Sequence, residues 1–279
     1  MSSHSHESTG DQPFRHYSPA HRAVAWVSQT LFNNVTYTVR HGLNEGMKRK
    51  GGLGWLPKFM AGASTRTAEE VFWRKCELGD VIIYDIGAFQ GLLTLFFASQ
   101  ARQVVSYEPN SKNHARLLEN IRLNHLTNVL VRNVALGAKQ ETAEMVALPL
   151  MSGGASIASN TIKALHSSNL SVVSERITVT TLDDDIRESS LPPPDFIKVD
   201  VEGSELALLM GARETLLTYK PKLFIELHGE TMNLKRRNVA EIVGYLNELG
   251  YTDIRHIEST TAITPANSAT AAQGHLFCR

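Results

Sequence analysis

The stretch VIIYDIGAFQG, residues 81–91, sets an acid and two glycines directly after an apolar run. The run is short and rich in β-branched residues, which fits a strand buried on both faces. VVSYEP (104–109), VLVRNVAL (129–136), DFIKVDV (195–201) and KLFIEL (222–227) repeat the pattern. Between them lie amphipathic stretches from Leu92 to Gln100, Ser111 to Asn124, Glu205 to Tyr219 and Asn238 to Leu249, and a further helix is expected from about Arg66 to Cys76. The alternation predicts an α/β fold, a largely parallel sheet with helices on both sides. YTDIRHI (251–257) and GHLFCR (274–279) are expected to close it.

Working outward, a long interruption at about 137–194 breaks this rhythm. ETAEMVALPL and RITVTTL read there as a hairpin around a Ser/Gly/Asn-rich loop, an insertion suited to covering a substrate. Residues 1–19 are polar and aperiodic, a disordered terminus. Residues 20–64 are read as a helical appendage, because Val24, Val27, Leu31, Val35, Val39 and Leu43 recur at helical spacing. It ends in MKRKGGLGWLPK, where Lys48, Arg49 and Lys50 meet three glycines and Trp55; this is a mobile basic lid, a contact for an anionic partner, or a solvated helix end followed by a loop. The main domain is expected over 65–279.

Composition limits the function. The 279 residues are 42% hydrophobic and carry 28 basic against 28 acidic side chains, so the excess positive charge that nucleic-acid binding would leave is missing. No run of about 18 apolar residues suggests a membrane span. Two cysteines, Cys76 and Cys278, favour a reducing cytoplasm.

In an open parallel sheet, ligands sit beyond the carboxyl ends of the strands. Asp85 and Gly87 lie at that end of the first strand, and Glu108 ends the second, where a ribose-binding carboxylate belongs. Gly87 is expected to let a ligand approach the backbone, and Gly91 to permit close helix packing. Phe89 replaces the glycine that a dinucleotide pyrophosphate needs, so a nucleoside without phosphates, such as S-adenosylmethionine, fits better than NAD. DIGAFQG alone reads equally as packing.

DIGAFQG, YEPN, NVALG, SGGAS, TLDD, FIKVDVEGSE and LFIELHG, in this order, resemble the FkbM family of S-adenosylmethionine-dependent methyltransferases. The resemblance covers about residues 65–279. It implies a class I methyltransferase (Rossmann-like) fold with a seven-stranded sheet, the last strand antiparallel, and O-methyl transfer to a hydroxyl of a small molecule such as a sugar or polyketide. It also implies cofactor roles for Asp85 at the methionine end, Glu108 at the ribose, and Asn133 and Ala135 beside the adenine; Asn110 follows in the turn or caps the next helix. Family members mostly carry Asn where Phe89 stands. A nucleotide-dependent oxidoreductase and a non-catalytic cofactor-binding module are the alternatives.

Methyl transfer to an alcohol requires loss of a proton whose bulk-water reference pKa is about 15.7, so a base or a metal is expected. Strand alternation pairs Asp200 with Glu202 and Glu226 with His228 on neighbouring strand ends. In one reading His228 is the base, its ring held by Glu226, with Asp200 and Glu202 positioning the acceptor. In another, Asp200 and Glu226 hold a divalent ion such as magnesium, as resemblance to magnesium-dependent catechol methyltransferases suggests. In the third, Glu202 and Gly203 form a turn and Glu226 is bonded to backbone. His114, His125, His166 and His256 have no such company and default to the surface.

Overall fold

The computed structural model describes residues 33–51, 66–148, 151–156, 173–229 and 231–279. The chain enters through a short antiparallel pair, β1 (Thr36–Thr38) and β2 (Lys48–Lys50). This corrects the expected helix over Val35, Val39 and Leu43. The physical reason is long-range: the backbone N–H groups of Lys48 and Lys50 donate to the side chains of Asn124 and Asn120, which fixes an extended chain. The remainder of 1–64 lies outside the described residues, apart from 33–51.

Helix α1 (Ala68–Lys75), capped by Thr67, leads to β3 (Ile82–Ile86), every residue of which is buried. Then follow α2 (Leu92–Gln100), β4 (Gln103–Tyr107), α3 (Ser111–Leu123) and β5 (Val129–Arg132). The expected strand 129–136 divides here. β6 (Ala135–Leu136) leaves the main sheet and pairs with β9 (Val173–Thr180). β9 also pairs antiparallel with β7 (Glu141–Leu148), the expected hairpin, and β7 carries β8 (Met151–Ser156) on its other edge. Thus SGGAS is strand and not loop, while 157–172 lies outside the described residues.

Thr181 caps α4 (Leu182–Glu188), a helix the sequence reading missed, and β10 (Phe196–Val199) returns to the main sheet. The expected single helix from Glu205 to Tyr219 breaks at Ala212 into α5 (Glu205–Gly211) and α6 (Arg213–Tyr219). β11 (Lys222–Glu226), α7 (Met232–Glu248), β12 (Ile254–His256), β13 (Ala262–Ile263) and β14 (His275–Cys278) complete the chain.

The large sheet runs β13-β12-β14-β11-β10-β3-β4-β5. β3, β4, β5, β10 and β11 are parallel, and β14 is antiparallel to β11. The expected seven-stranded order is therefore present, extended by the two-residue β13. Strand alternation divides the core: Ile82, Tyr84 and Ile86 pack with α5 and α7 residues such as Leu208 and Val239, and Ile83 packs on the opposite face with Trp73 and Phe97. Strand order reverses between β3 and β10, so their carboxyl ends open onto a shared crevice.

Candidate active site

The crevice is an open cleft of about 670 Å³, solvent-open space included, lined by Gly87, Phe89, Glu108, Asn113, Ala135, Asp200 and Glu202 among others. Glu108 stands at the end of β4 with both oxygens anchored: the N–H of Phe89 donates to Oε2 at 2.8 Å and that of Asn110 to Oε1 at 2.9 Å. Burial pushes its carboxyl up to about 7 against those stabilising bonds. Asn133 holds the same loop, donating to the carbonyls of Glu108 at 2.8 Å and Pro109 at 3.1 Å, and the side chain of Asn110 caps α3. Ala135 lines the cleft; Asn110 and Asn133 shape the loop beside it.

Gly87 has φ +78°, and a Cβ there would come within 1.7 Å of the Asp200 carbonyl oxygen. Its bareness accommodates the chain just after β10, and the residue also lines the cleft. Gly91, at φ +87°, does permit close helix packing: a Cβ would meet Leu117 of α3 at 2.6 Å. Phe89 has φ +52°, a region in which bulky residues are rare.

Asp85 is fully buried, accepts a 2.5 Å hydrogen bond from Thr94, and lies 3.3 Å from the ammonium of Lys198. Its side chain therefore works beneath the cleft. Lys198, in the middle of β10, donates to the Gly87 carbonyl at 2.9 Å and pairs with Asp200 at 3.3 Å. Burial opposes its charge, but Asp200 and Asp85 outweigh that and hold it protonated. Sequence reasoning missed Lys198, although a lysine inside the apolar run DFIKVDV is the signal that could have found it.

At the acceptor end, the expected four residues converge. His228 Nε2 lies 3.6 Å from Asp200, 3.7 Å from Glu202 and 3.6 Å from Glu226. Glu226 does not hold the ring, however. Glu205, at the start of α5, contacts Nδ1 at 2.7 Å, and its own burial makes it the rigid partner. Burial disfavours the imidazolium, yet the Glu205 hydrogen bond and the fields of Glu205, Glu202 and Asp200 prevail and push it up to about 10. His228 is thus a cation at neutral pH. Glu202 has φ +52° and lines the cleft; burial pushes its carboxyl up to about 7, with His228 opposing and Asp200 and Glu226 adding. Asp200 is held below the usual carboxylate range: burial raises it, but Lys198 and His228 more than compensate.

Beyond Glu226 the network continues. His275 Nε2 is 3.8 Å from Glu226 and its Nδ1 2.6 Å from Glu258, which in turn lies 3.1 Å from the buried His256. His256 therefore does not sit on the surface as expected. Ligand-capable atoms of Asp200, Glu226 and His228 lie within 4.8 Å of one another. The ammonium of Lys198, 3.3 Å from Asp200, already partners one of these carboxylates and would compete with an ion for it.

A sequence profile of the methyltransferase FkbM domain matches residues 85–252, more than half of the chain. The chain belongs to the FkbM methyltransferase family. The matched family is one of methyltransferases and not of nucleotide-dependent oxidoreductases. Among solved structures, the chain is similar to the FkbM methyltransferase of Methylobacillus flagellatus KT, at 21% identity over 72% of this chain and 44% of that one, with a TM-score of 0.47. It thus spans less than half the length of that relative. Precorrin-6y C5,15-methyltransferase of Geobacter metallireducens GS-15 shares 14% identity over 70% of this chain and 77% of its own, with a TM-score of 0.39. Ribosomal protein L11 methylase of Lactobacillus delbrueckii subsp. bulgaricus shares 10% over 76% and 74%, also at 0.39. No curated protein matches the sequence. Among the described residues, no helix is long and apolar enough to cross a membrane.

Proposed function

We propose that the chain is an S-adenosylmethionine-dependent O-methyltransferase acting on a hydroxyl of a small molecule, such as a sugar or polyketide, with Glu202 as general base. The observation that carries this reading is that Glu108 and Glu202 line one cleft from different strand ends. Beyond its bonds from the Phe89 and Asn110 backbone and the Asn113 side chain, the Glu108 carboxylate retains acceptor capacity for a ribose hydroxyl. Such binding directs the sulfonium toward the Asp200 and Glu202 end.

The fold positions the acceptor oxygen against the methyl carbon, and this alignment supplies much of the acceleration. As the carbon–oxygen bond forms and the carbon–sulfur bond breaks, the hydroxyl acidifies and its proton passes to Glu202. Neutral S-adenosylhomocysteine leaves. A carboxyl near 7 suits a base at neutral pH, whereas a histidine near 10 is already protonated. His228 is therefore assigned a positioning role, balancing the charge of Asp200, Glu202 and Glu226. Asp200, kept ionised, is available to accept a second hydrogen bond from the acceptor. The two cysteine thiols are unpaired, in keeping with a cytoplasmic location.

Screening hydroxylated sugars, lipids and polyketides with labelled cofactor identifies an acceptor, after which Glu202→Gln tests the base. Turnover is expected to fall about a hundredfold to ten-thousandfold, with cofactor affinity little changed, and chelators are expected to have no effect. Near-wild-type turnover in Glu202→Gln, together with inactive His228→Ala, transfers the base role to His228. Loss of activity on chelation, restored by magnesium, overturns the metal-free reading.

A further inference from the structure

Glu205 does more than contact His228. It is the first residue of α5, it is only 1% exposed, and its Oε1 has two partners. The backbone N–H of Gly203 donates to that oxygen at 2.9 Å, and His228 Nδ1 lies 2.7 Å from it. Gly203 belongs to the turn that leaves β10, and His228 to the loop that leaves β11. One buried oxygen thus ties two loops to the start of a helix.

The turn held in this way is a strained one. Glu202 has φ +52° and Gly203 φ +100°, so a bulky side chain stands in a backbone region that such residues rarely adopt. Backbone of this kind persists only where its surroundings over-determine it. Ser204 makes no side-chain capping bond to α5, and the Glu205 bond to Gly203 closes the turn from within the helix. On the second loop, the side chain of Asn238 on α7 donates to the His228 carbonyl at 3.0 Å and fixes the backbone, while Glu205 fixes the ring. With Nδ1 committed to Glu205, Nε2 is the atom turned toward Asp200, Glu202 and Glu226.

We propose that Glu205 is a positioning residue for methyl transfer, which aims the Glu202 carboxylate and the His228 ring at the acceptor end of the cleft from one shared oxygen. The proposal rests on the reading of Glu202 as the base. Glu205 lies behind the cleft wall, beside Ser204, which lines it, and acts through its two neighbours. Its bond to Gly203 sets the backbone from which Glu202 reaches the cleft, and its bond to His228 keeps a cation 3.7 Å from Glu202. Orientation of a base is worth as much as its basicity, because proton transfer requires hydrogen-bond reach.

Three substitutions in the full chain separate geometry from charge. Glu205→Gln keeps an acceptor oxygen in place and removes the charge, Glu205→Asp keeps the charge and withdraws it by one methylene, and Glu205→Ala removes both. Imidazole NMR should show the proton affinity of His228 falling roughly tenfold or more in Glu205→Gln, where Asp200, Glu202 and Glu226 remain around the ring, with Lys198 beside Asp200 and His275 beside Glu226. Hydrogen exchange at Gly203 should accelerate in Glu205→Asp and Glu205→Ala and not in Glu205→Gln. At saturating S-adenosylmethionine and the sugar, lipid or polyketide returned by the acceptor screen, kcat should fall roughly tenfold to a hundredfold in Glu205→Ala and Glu205→Asp and less in Glu205→Gln. S-adenosylhomocysteine should bind all three variants like wild type. Should Glu205→Ala fold poorly, the Gln and Asp variants carry the same comparison. Wild-type kcat in Glu205→Asp and Glu205→Ala while Glu202→Gln is impaired, or an unchanged His228 titration in Glu205→Gln, overturns the proposal. Near-wild-type turnover in Glu202→Gln overturns the base reading, and with it the role of the turn.

Discussion

Glu108 and Glu202 both titrate near 7 because burial disfavours their charge, yet they act on different quantities. In the proposed complex a ribose hydroxyl would donate to Glu108 and so favour its ionised form. Cofactor affinity is therefore expected to fall as the pH drops through about 7, and Glu108→Gln, which sets an amide against the Phe89 and Asn110 donors, should lose at least tenfold affinity by calorimetry. Glu202 should instead govern turnover at saturating cofactor, giving an acid limb near 7 that Glu202→Gln abolishes. An acid limb that persists unchanged in Glu202→Gln assigns it to another group. Glu108 was legible as a carboxylate at a second strand end. Glu205 was not, because its importance lies in a contact with a histidine 23 residues away that no local pattern encodes.

At the level of elements, three glycines give opposite expectations. Gly87→Ala forces a Cβ into the Asp200 carbonyl at a positive φ, so either the turn after β3 or the end of β10 must move. A loss of roughly 1–3 kcal/mol or more is expected in denaturant unfolding, with cofactor binding impaired. Gly244 lies within α7, where a Cβ meets nothing within 4 Å. Gly244→Ala should gain roughly 0.5–1 kcal/mol, since alanine is the better helix former. Gly79, also in open space and at an ordinary φ, provides a loop control. The main-sheet elements were readable because strands covered on both faces must be continuously apolar. The β1–β2 pair was not, because asparagines on and at the end of α3 determine it, and α4 was hidden because its cap, Thr181, follows β9 directly.

Across the whole molecule, alternating carboxylates and imidazoles join β10, β11, β14 and the loop after β12. Folding raises the His228 pKa from about 6.5 to about 10, so the native state binds the extra proton in that interval. The stabilisation is complete below about 6.5 and is lost as the pH rises through about 10. Urea unfolding at pH 6, 8 and 10 should therefore show wild type losing its advantage over His228→Gln as the pH climbs. A constant difference between the two removes the imidazolium assignment. The overall strand order was legible from the sequence, but this network was only half so: paired residues on one strand show in the sequence, while partners from three strands and a loop meet only through topology.

The close approach of Gly87 to the Asp200 carbonyl, with the buried Lys198 side chain bridging the same two residues, joins the proposed cofactor half of the cleft to the proposed acceptor half. Neither half can shift without displacing the other. Binding should consequently be heterotropic and reciprocal: whatever factor the cofactor contributes to acceptor affinity, the acceptor must return to cofactor affinity. A ternary complex assembled on such a joint favours ordered occupancy over two independent equilibria, and loosening the joint should uncouple the ligands before it abolishes either one.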